Sequence, residues 1–157
     1  MNNLDVRIER LDPMWVASAH SIGERPERES WGVLRAWAEP KGLLGSPDSH
    51  PLFGFNNPNP APDTPEYGYE FWIQVDPGTE TDGTVAVKEF PGGMYAVTRC
   101  KLIDDPGGTV AQVWMALWEW VQASEYSWRK THELEKHRDP DAPLEDVVLE
   151  LYLPIQE

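Results

Sequence analysis

The feature that most constrains the fold is an internal duplication, because segments of the first half recur in the same order about 80 residues later. A repeat of this length indicates two fused half-units, about 5–76 and 84–155, rather than a solenoid. The length of 157 residues suits a single domain spanning residues 1–157. The matching segments, at offsets of 80, 80 and 79, are Met14-Trp15-Val16-Ala17 with Met94-Tyr95-Ala96-Val97, Glu70-x-Trp72 with Glu150-x-Tyr152, and residues 6–11 with 85–90.

Each half-unit contains one helix candidate. Ser30 is a suitable N-cap for a helix over residues 30–38, and Thr109 is a suitable N-cap for a helix over residues 109–124. Each helix has an apolar face at helical spacing, which predicts that it packs on a sheet. The residues on these faces are Trp31, Leu34 and Trp37 in the first helix, and Val113, Trp114, Leu117, Trp118 and Val121 in the second.

Strands are predicted on both sides of each helix. Residues 6–11 and 14–22 form a predicted hairpin around Asp12-Pro13, and residues 85–90 and 94–101 form another around Pro91-Gly92-Gly93. The other predicted strands are residues 51–55, 67–75, 131–138 and 147–155.

The strand over residues 67–75 places a carboxylate among aromatic side chains. Alternation along a strand directs Tyr69 to one face, and Glu70 and Trp72 to the other. Because an unpaired buried carboxylate is unfavourable, Glu70 beside Trp72 suits the wall of a pocket for a positively charged molecule. The alternative is a solvated face, since antiparallel sheets often have one wet side. The last strand repeats the pattern with Glu150 and Tyr152.

The charge balance argues against direct binding to nucleic acid. The formal net charge is −14 and the pI is about 4.6, so contact with a phosphate backbone is electrostatically unfavourable. The single Cys100 excludes an internal disulfide and favours a reducing compartment. We find neither a signal-peptide pattern nor the roughly 20 apolar residues that a membrane span needs. These observations predict a cytoplasmic protein without membrane contact.

Sequence patterns of common catalytic sites are not met. A zinc-protease helix needs a second histidine four residues after the first, and the residue in that place after His132 is Lys136. There is no glycine-rich phosphate loop, no nucleophile elbow, and no histidine next to Cys100. We therefore expect neither a metal nor a cofactor.

The chain resembles the GyrI-like small-molecule-binding family, which also forms the effector-binding part of AraC-type and MerR-type multidrug-responsive regulators. The resemblance covers essentially the whole chain. It implies an α+β fold of two βαββ units with antiparallel sheets, pseudo-two-fold symmetry and a ligand pocket between the halves. Since no helix-turn-helix precedes Val6, we do not expect a transcription factor of those types. The resemblance rests on the duplication, Phe53-Gly54-Phe55 before a Pro/Asn-rich loop, Tyr67-Gly68-Tyr69-Glu70, and Glu150-Leu151-Tyr152-Leu153-Pro154.

This resemblance implies binding of small lipophilic aromatic cations, for sensing or sequestering drugs or toxins. In multidrug-binding relatives the glutamate that matches Glu70 faces the cation, and aromatic rings stack around it. Burial is expected to raise the pKa of Glu70 in the empty protein. The predicted ligand-binding residues are Glu70, Trp72, Tyr69, Phe55, Trp114, Trp118, Glu150 and Tyr152.

Two other functions stay open. The first is a hydrolase that opens cyclopropane-containing alkylating natural products, with Glu70 as the catalytic residue, because some standalone GyrI-like proteins have this activity. The second is a protein-interaction module for a basic partner such as gyrase, which the negative charge would favour. Whether the chain is an enzyme is left undecided, with non-catalytic binding preferred.

Glu70, rather than Glu150, is predicted to be the main ligand contact. Two ionised carboxylates in one small apolar cavity would repel each other. Gly68 is expected to leave room beside Glu70, whereas Val148 fills the matching place beside Glu150. The loop over residues 56–65 would gate the entrance, and Trp114 and Trp118 would form the opposite aromatic wall. The alternative for Glu150 is a solvated residue on a final edge strand.

Overall fold

A computed structural model describes residues 4–46, 48–59, 61–63, 65–101, 106–143 and 147–157. These residues form antiparallel strands and two α-helices, which confirms the predicted α+β class. Pro60 and Thr64, in the predicted gating loop, lie outside the described residues. The elements in chain order are β1 (Arg7–Leu11), β2 (Met14–Gly23), α1 (Pro26–Ala38), β3 (Leu52–Asn56), β4 (Tyr67–Val75), β5 (Ala86–Phe90), β6 (Gly93–Lys101), α2 (Pro106–Gln122), β7 (Ser127–Trp128), β8 (Leu134–His137) and β9 (Val148–Gln156).

The chain divides into two compact units. One consists of residues 13–91 and is called the Glu70 unit, and the other consists of residues 1–12 and 92–157 and is called the Glu150 unit. Among the described residues, each unit has one α-helix and one set of paired antiparallel strands, so the division follows the duplication except at the first strand of each repeat.

In the Glu70 unit the strands pair in the order β3-β4-β2-β5. Helix α1 covers one face of this sheet, because Leu34 and Trp37 pack against Ala17, Phe71 and Ile73 in a buried cluster. The alternation predicted for β4 is therefore correct. It leaves Glu70 and Trp72 on the face opposite α1.

In the Glu150 unit the strands pair in the order β1-β6-β9-β8, and the short β7 also pairs with β9. Helix α2 covers one face, where Leu117 and Val121 pack against Ala96, Leu149 and Leu151. By alternation, Glu150 and Tyr152 lie on the opposite face. Since β9 pairs on both sides, the expectation that Glu150 lies on an edge strand is wrong.

Both predicted hairpins are wrong. Strand β1 pairs with β6, and β5 pairs with β2, so each strand joins the sheet of the other repeat. Each of the two links contains a proline. Pro13 and Pro91 follow Asp12 and Phe90, and a residue before proline favours extended backbone. Each link carries the chain from one unit into the other.

The strand register refines the repeat. Glu70 lies opposite His20, and Glu150 lies opposite Arg99, so β2 and β6 correspond at an offset of 99 − 20 = 79. Strands β4 and β9 correspond at 150 − 70 = 80. Val16, rather than Trp15, therefore occupies the place that matches Tyr95. A shift of one residue reverses the face of every side chain, so this correction matters for the site.

Both helices begin earlier than predicted. Helix α1 starts at Pro26, and Ser30 lies inside it, where the Ser30 hydroxyl donates to the carbonyl of Pro26 at 2.6 Å. Helix α2 starts at Pro106, three residues before Thr109. Proline suits the first turn of a helix because the amides there have no partner within the helix. Neither described helix has the length and apolarity to cross a membrane.

Candidate functional site

The site centres on the carboxylate of Glu70, near the middle of β4. This strand pairs with β2 and β3, so Glu70 lies inside the sheet, with His20 opposite it on β2 and Phe55 opposite it on β3. The side chain is only 4% exposed. A carboxylate in this position needs hydrogen-bond partners, because burial removes the water that would solvate it.

Four donors supply those partners. On Oε2, Lys88 Nζ donates at 2.5 Å, Ser18 Oγ at 2.6 Å and Trp72 Nε1 at 2.6 Å. On Oε1, Asn57 Nδ2 donates at 3.2 Å. These donors come from β5, β2, β4 itself and the segment after β3, so several elements of the Glu70 unit fix the carboxylate. Hydrogen bonds to a charged acceptor are among the stronger ones in proteins.

These donors determine the protonation state of Glu70. Burial raises the pKa of the carboxyl group, but the hydrogen bonds from Lys88, Ser18 and Trp72 and the charge of Lys88 outweigh it, and the pKa falls to about 2. The expectation of a raised pKa in the empty protein is therefore wrong. Glu70 is ionised without any ligand because the protein itself supplies a cation.

The Trp72 ring, which contacts this carboxylate, packs against two further aromatic rings. The Trp72 ring lies 4.9 Å from the Phe55 ring, edge to face, and 5.1 Å from the Phe90 ring, between centroids. Lys88 Nζ lies 5.4 Å from the centroid of the Trp72 ring, within the range of a cation–π contact. The site therefore combines a buried negative charge with an aromatic face that favours cations.

Sequence reasoning missed three residues of this site, Ser18, Asn57 and Lys88, and Lys88 is the charged one among them. It lies on β5, at the end of the strand order of the Glu70 unit, opposite Val16 of β2. Its side chain is 46% exposed. The pairing of β5 with β2 is what brings Lys88 to Glu70, and the predicted hairpin concealed that pairing. The available signal was the alternation along β5, which separates Lys88 from Val87 and Glu89.

Gly68 has a different role from the one predicted. A Cβ atom at this position would overlap the carbonyl group of Asn57. The Gly68 amide donates to the carbonyl of Pro58 at 3.0 Å, and the Asn57 amide donates to the carbonyl of Gly68 at 2.8 Å. The space beside Gly68 is thus filled by backbone, and this close approach brings Asn57 to Glu70.

Glu150 has other surroundings. It accepts a hydrogen bond from Arg7 Nη2 at 2.5 Å, and Arg7 Nε also donates to Glu9 at 2.8 Å. The Tyr152 hydroxyl donates to Glu9 at 3.2 Å. The Glu150 and Arg7 side chains are 22% and 48% exposed. Burial and the charges of Glu9 and Glu150 raise the pKa of Tyr152, so its hydroxyl remains protonated.

Three predicted site residues lie elsewhere in their units. Tyr69 is buried in the α1-side cluster, on the face opposite Glu70. Trp114 packs in the α2-side cluster, across the sheet from Glu150 and Tyr152. Trp118 is 37% exposed and contacts Trp128 edge to face, at 6.0 Å between ring centroids. Within the units, the residues that the structure does bring together are Glu70, Trp72 and Phe55, and separately Glu150 and Tyr152.

The sequence matches a known protein family. The model of the Cass2 family, the integron-associated effector binding proteins, matches residues 7–155. The chain belongs to this family. The match confirms the predicted effector-binding class. No curated protein matches the chain.

Solved structures share this fold at low sequence identity. The C-terminal domain of EcmrR matches with a TM-score of 0.72 and 14% identity over 99% of both chains. In a complex of EcmrR with DNA the match covers 98% of this chain but only 57% of the EcmrR chain, with 14% identity and a TM-score of 0.71. SAV2435 bound to tetraphenylphosphonium matches with a TM-score of 0.56 and 13% identity over 98% of this chain and 94% of that one. A hydrolase from Listeria innocua matches with a TM-score of 0.69 and 10% identity over 96% and 91%.

Proposed function

We propose that this protein binds lipophilic aromatic cations, with Glu70 as the charge partner and Trp72 as the main aromatic contact. The observation that carries the proposal is the buried, ionised carboxylate of Glu70 beside the ring of Trp72. This site is assembled from residues of the Glu70 unit alone, and it needs no metal or cofactor to hold its charge.

The energetics favour a cation with delocalised charge. Such a cation loses little hydration when it leaves water, whereas a small ammonium ion loses much more. At about 5 Å from a carboxylate, with an effective dielectric constant of about 20, the Coulomb attraction is roughly 3 kcal/mol. Contact with an aromatic face adds roughly 0.5–2 kcal/mol. Since neither contact is directional, a site of this kind accepts cations of different shapes.

The relatives support the proposal in chemical terms. SAV2435 was solved with tetraphenylphosphonium, an aromatic cation without hydrogen-bond donors. The family to which this chain belongs is described as effector binding. Drug or toxin sensing and sequestration are the roles that fit such binding. The location that we propose for the protein is the cytoplasm.

Hydrolysis with Glu70 as the base has less support. A general base works best when its pKa lies near the working pH, and the pKa of Glu70 is about 2. Both oxygens of Glu70 already accept hydrogen bonds, Oε2 from Lys88, Ser18 and Trp72 and Oε1 from Asn57, so neither is free of competing donors. The fold shared with a Listeria innocua hydrolase does not alter this argument. Binding of a basic partner protein stays an alternative without a specific contact in its favour.

The test compares two probes of the same shape and opposite charge. Tetraphenylphosphonium and tetraphenylborate are both titrated into the protein, and binding is followed by tryptophan fluorescence and by calorimetry. We expect saturable binding of the cation and at least tenfold weaker binding of the anion, because the anion meets an ionised carboxylate. Equal affinity for both probes, or no binding of the cation, would contradict the proposal.

A further inference from the structure

The Lys88 ammonium makes the two contacts that the proposed ligand would make. Its Nζ lies 2.5 Å from Glu70 Oε2 and 5.4 Å from the centroid of the Trp72 ring. A cationic ligand that reached Glu70 and Trp72 would need the position that this ammonium occupies. The Lys88 ammonium therefore takes the place of a bound cation.

We propose that Lys88 is a tethered competitor, whose ammonium occupies the cation position at Glu70 until a lipophilic cation displaces it. This inference rests on the proposed function and deepens it, because it assigns the selectivity of the site to one residue. Lys88 would set a minimum binding free energy, which an incoming cation has to provide before it displaces the ammonium.

Of the two paired residues, Lys88 can move and Glu70 cannot. Glu70 is 4% exposed, and Ser18, Trp72 and Asn57 hold it independently of Lys88. Lys88 is 46% exposed and reaches Glu70 through a flexible aliphatic chain from β5. Its ammonium can therefore swing into water and regain its hydration, while the carboxylate stays in place with three of its four donors.

Tethering explains why this minimum binding free energy selects lipophilic cations. A group held on a short flexible chain competes at an effective concentration on the order of millimolar or above. An inorganic cation or a small amine gains little beyond the charge contact that Lys88 already makes. An aromatic cation also buries apolar surface and stacks on Trp72, and these gains offset the lost Lys88 contact. The same device disfavours neutral ligands, which leave Glu70 without a counter-charge.

The first test removes the competitor. Lys88→Met keeps the aliphatic chain and deletes the charge, and titrations at pH 8 keep the carboxylate of Glu70 ionised. We expect tetraphenylphosphonium to bind at least fivefold more tightly than to the wild type. The small cation tetramethylammonium, which has no aromatic ring, should bind to the variant and not measurably to the wild type. Unchanged or weaker binding of tetraphenylphosphonium would overturn the inference.

Two further variants serve as controls. Lys41 lies 4.5 Å over the ring of Trp37 in the same unit, so Lys41→Met removes a lysine from a tryptophan without touching Glu70. Its affinity for tetraphenylphosphonium should equal that of the wild type. Lys88→Arg keeps the positive charge and should retain the wild-type discrimination against tetramethylammonium. An equal gain of affinity in Lys41→Met and Lys88→Met would indicate a general charge effect and would overturn the inference.

The second test needs no substitution, so it holds even if Lys88→Met folds poorly. The wild type is briefly acetylated with an N-hydroxysuccinimide ester, with and without tetraphenylphosphonium, and labelling is measured by peptide mass spectrometry. Displacement predicts severalfold faster acetylation of Lys88 when the ligand is bound, with Lys41 unchanged. Slower acetylation of Lys88 would show that the ligand covers it, and the inference would fail while ligand binding stood. If tetraphenylphosphonium binds to neither the wild type nor Lys88→Met, the proposed function and this inference both fail.

Discussion

Glu70 and Glu150 occupy matching places on matching strands, yet their surroundings differ. Glu70 is 4% exposed and paired with a lysine, whereas Glu150 is 22% exposed and paired with an arginine. The difference begins at the edge strand of each unit. At the offset of 79, Lys88 on β5 corresponds to Glu9 on β1. One unit therefore places a cation where the other places a second carboxylate.

This charge reversal gives the two carboxylates different surroundings. In the Glu70 unit, Trp72 and Lys88 both donate to one buried carboxylate. In the Glu150 unit, Tyr152 matches Trp72 but donates to Glu9. The two carboxylates there share Arg7, which is 48% exposed. Half-exposed pairs contribute little to stability. We propose that Glu70, the more buried of the two glutamates, supplies the binding charge.

The largest expected effect is on stability and comes from a substitution at Gly68, beside Glu70. Gly68→Ala forces a Cβ onto the carbonyl group of Asn57, and we expect a loss of more than about 3 kcal/mol in the free energy of unfolding. Urea denaturation followed by circular dichroism measures this loss. The matched control is Gly32→Ala in α1, where a Cβ meets no atom within 4 Å. That change should stabilise the protein by roughly 0.5–1 kcal/mol, because alanine is the better helix former. Wild-type stability of Gly68→Ala would refute the account of the close approach.

The next effect concerns acid stability. The pKa of Glu70 is lowered from 4.5 to about 2 in the folded protein, so its contribution is present above pH 4.5 and is lost as the pH falls towards 2. Its size is at most about 3 kcal/mol, and solvent around the half-exposed Lys88 reduces it. Urea denaturation at pH 6 and pH 3 should show a smaller loss on acidification for Glu70→Gln than for the wild type. Glu150→Gln keeps Glu70, so this variant should still lose the stability that Glu70 contributes when the pH falls from 6 to 3. An identical loss in Glu70→Gln and the wild type would refute the assigned pKa.

Much of the local structure could be predicted from the sequence because alternation and helical spacing are local signals. They placed Glu70 and Trp72 on one face of β4, and they placed Leu34 and Trp37 against the sheet. The helix starts were wrong because Ser30 and Thr109 have the chemistry of N-caps, while prolines upstream begin both helices. A serine inside a helix can donate to a carbonyl one turn earlier, as Ser30 does.

The pairing of distant strands was not predictable in the same way. Strands β1 and β5 have the pattern of hairpin partners, but each pairs with a strand that the sequence places in the other repeat. Lys88 was missed for this reason, and the pKa prediction for Glu70 failed with it. The structural role of Gly68 was missed because a glycine leaves room equally for a ligand and for backbone. Only the position of Asn57, which the sequence does not give, shows that backbone fills this space.

The most direct measurement compares the affinities of Glu70→Gln and Glu150→Gln for tetraphenylphosphonium. Both variants remove one carboxylate charge from matching strands, so a general effect of net charge cancels between them. We expect Glu70→Gln to raise the dissociation constant at least tenfold, which is about 1.4 kcal/mol, and Glu150→Gln to change it less than about threefold. Circular dichroism and thermal unfolding confirm that both variants are folded at the temperature of the titration. A larger loss in Glu150→Gln, or equal losses in both, would contradict the assignment of the binding charge to Glu70.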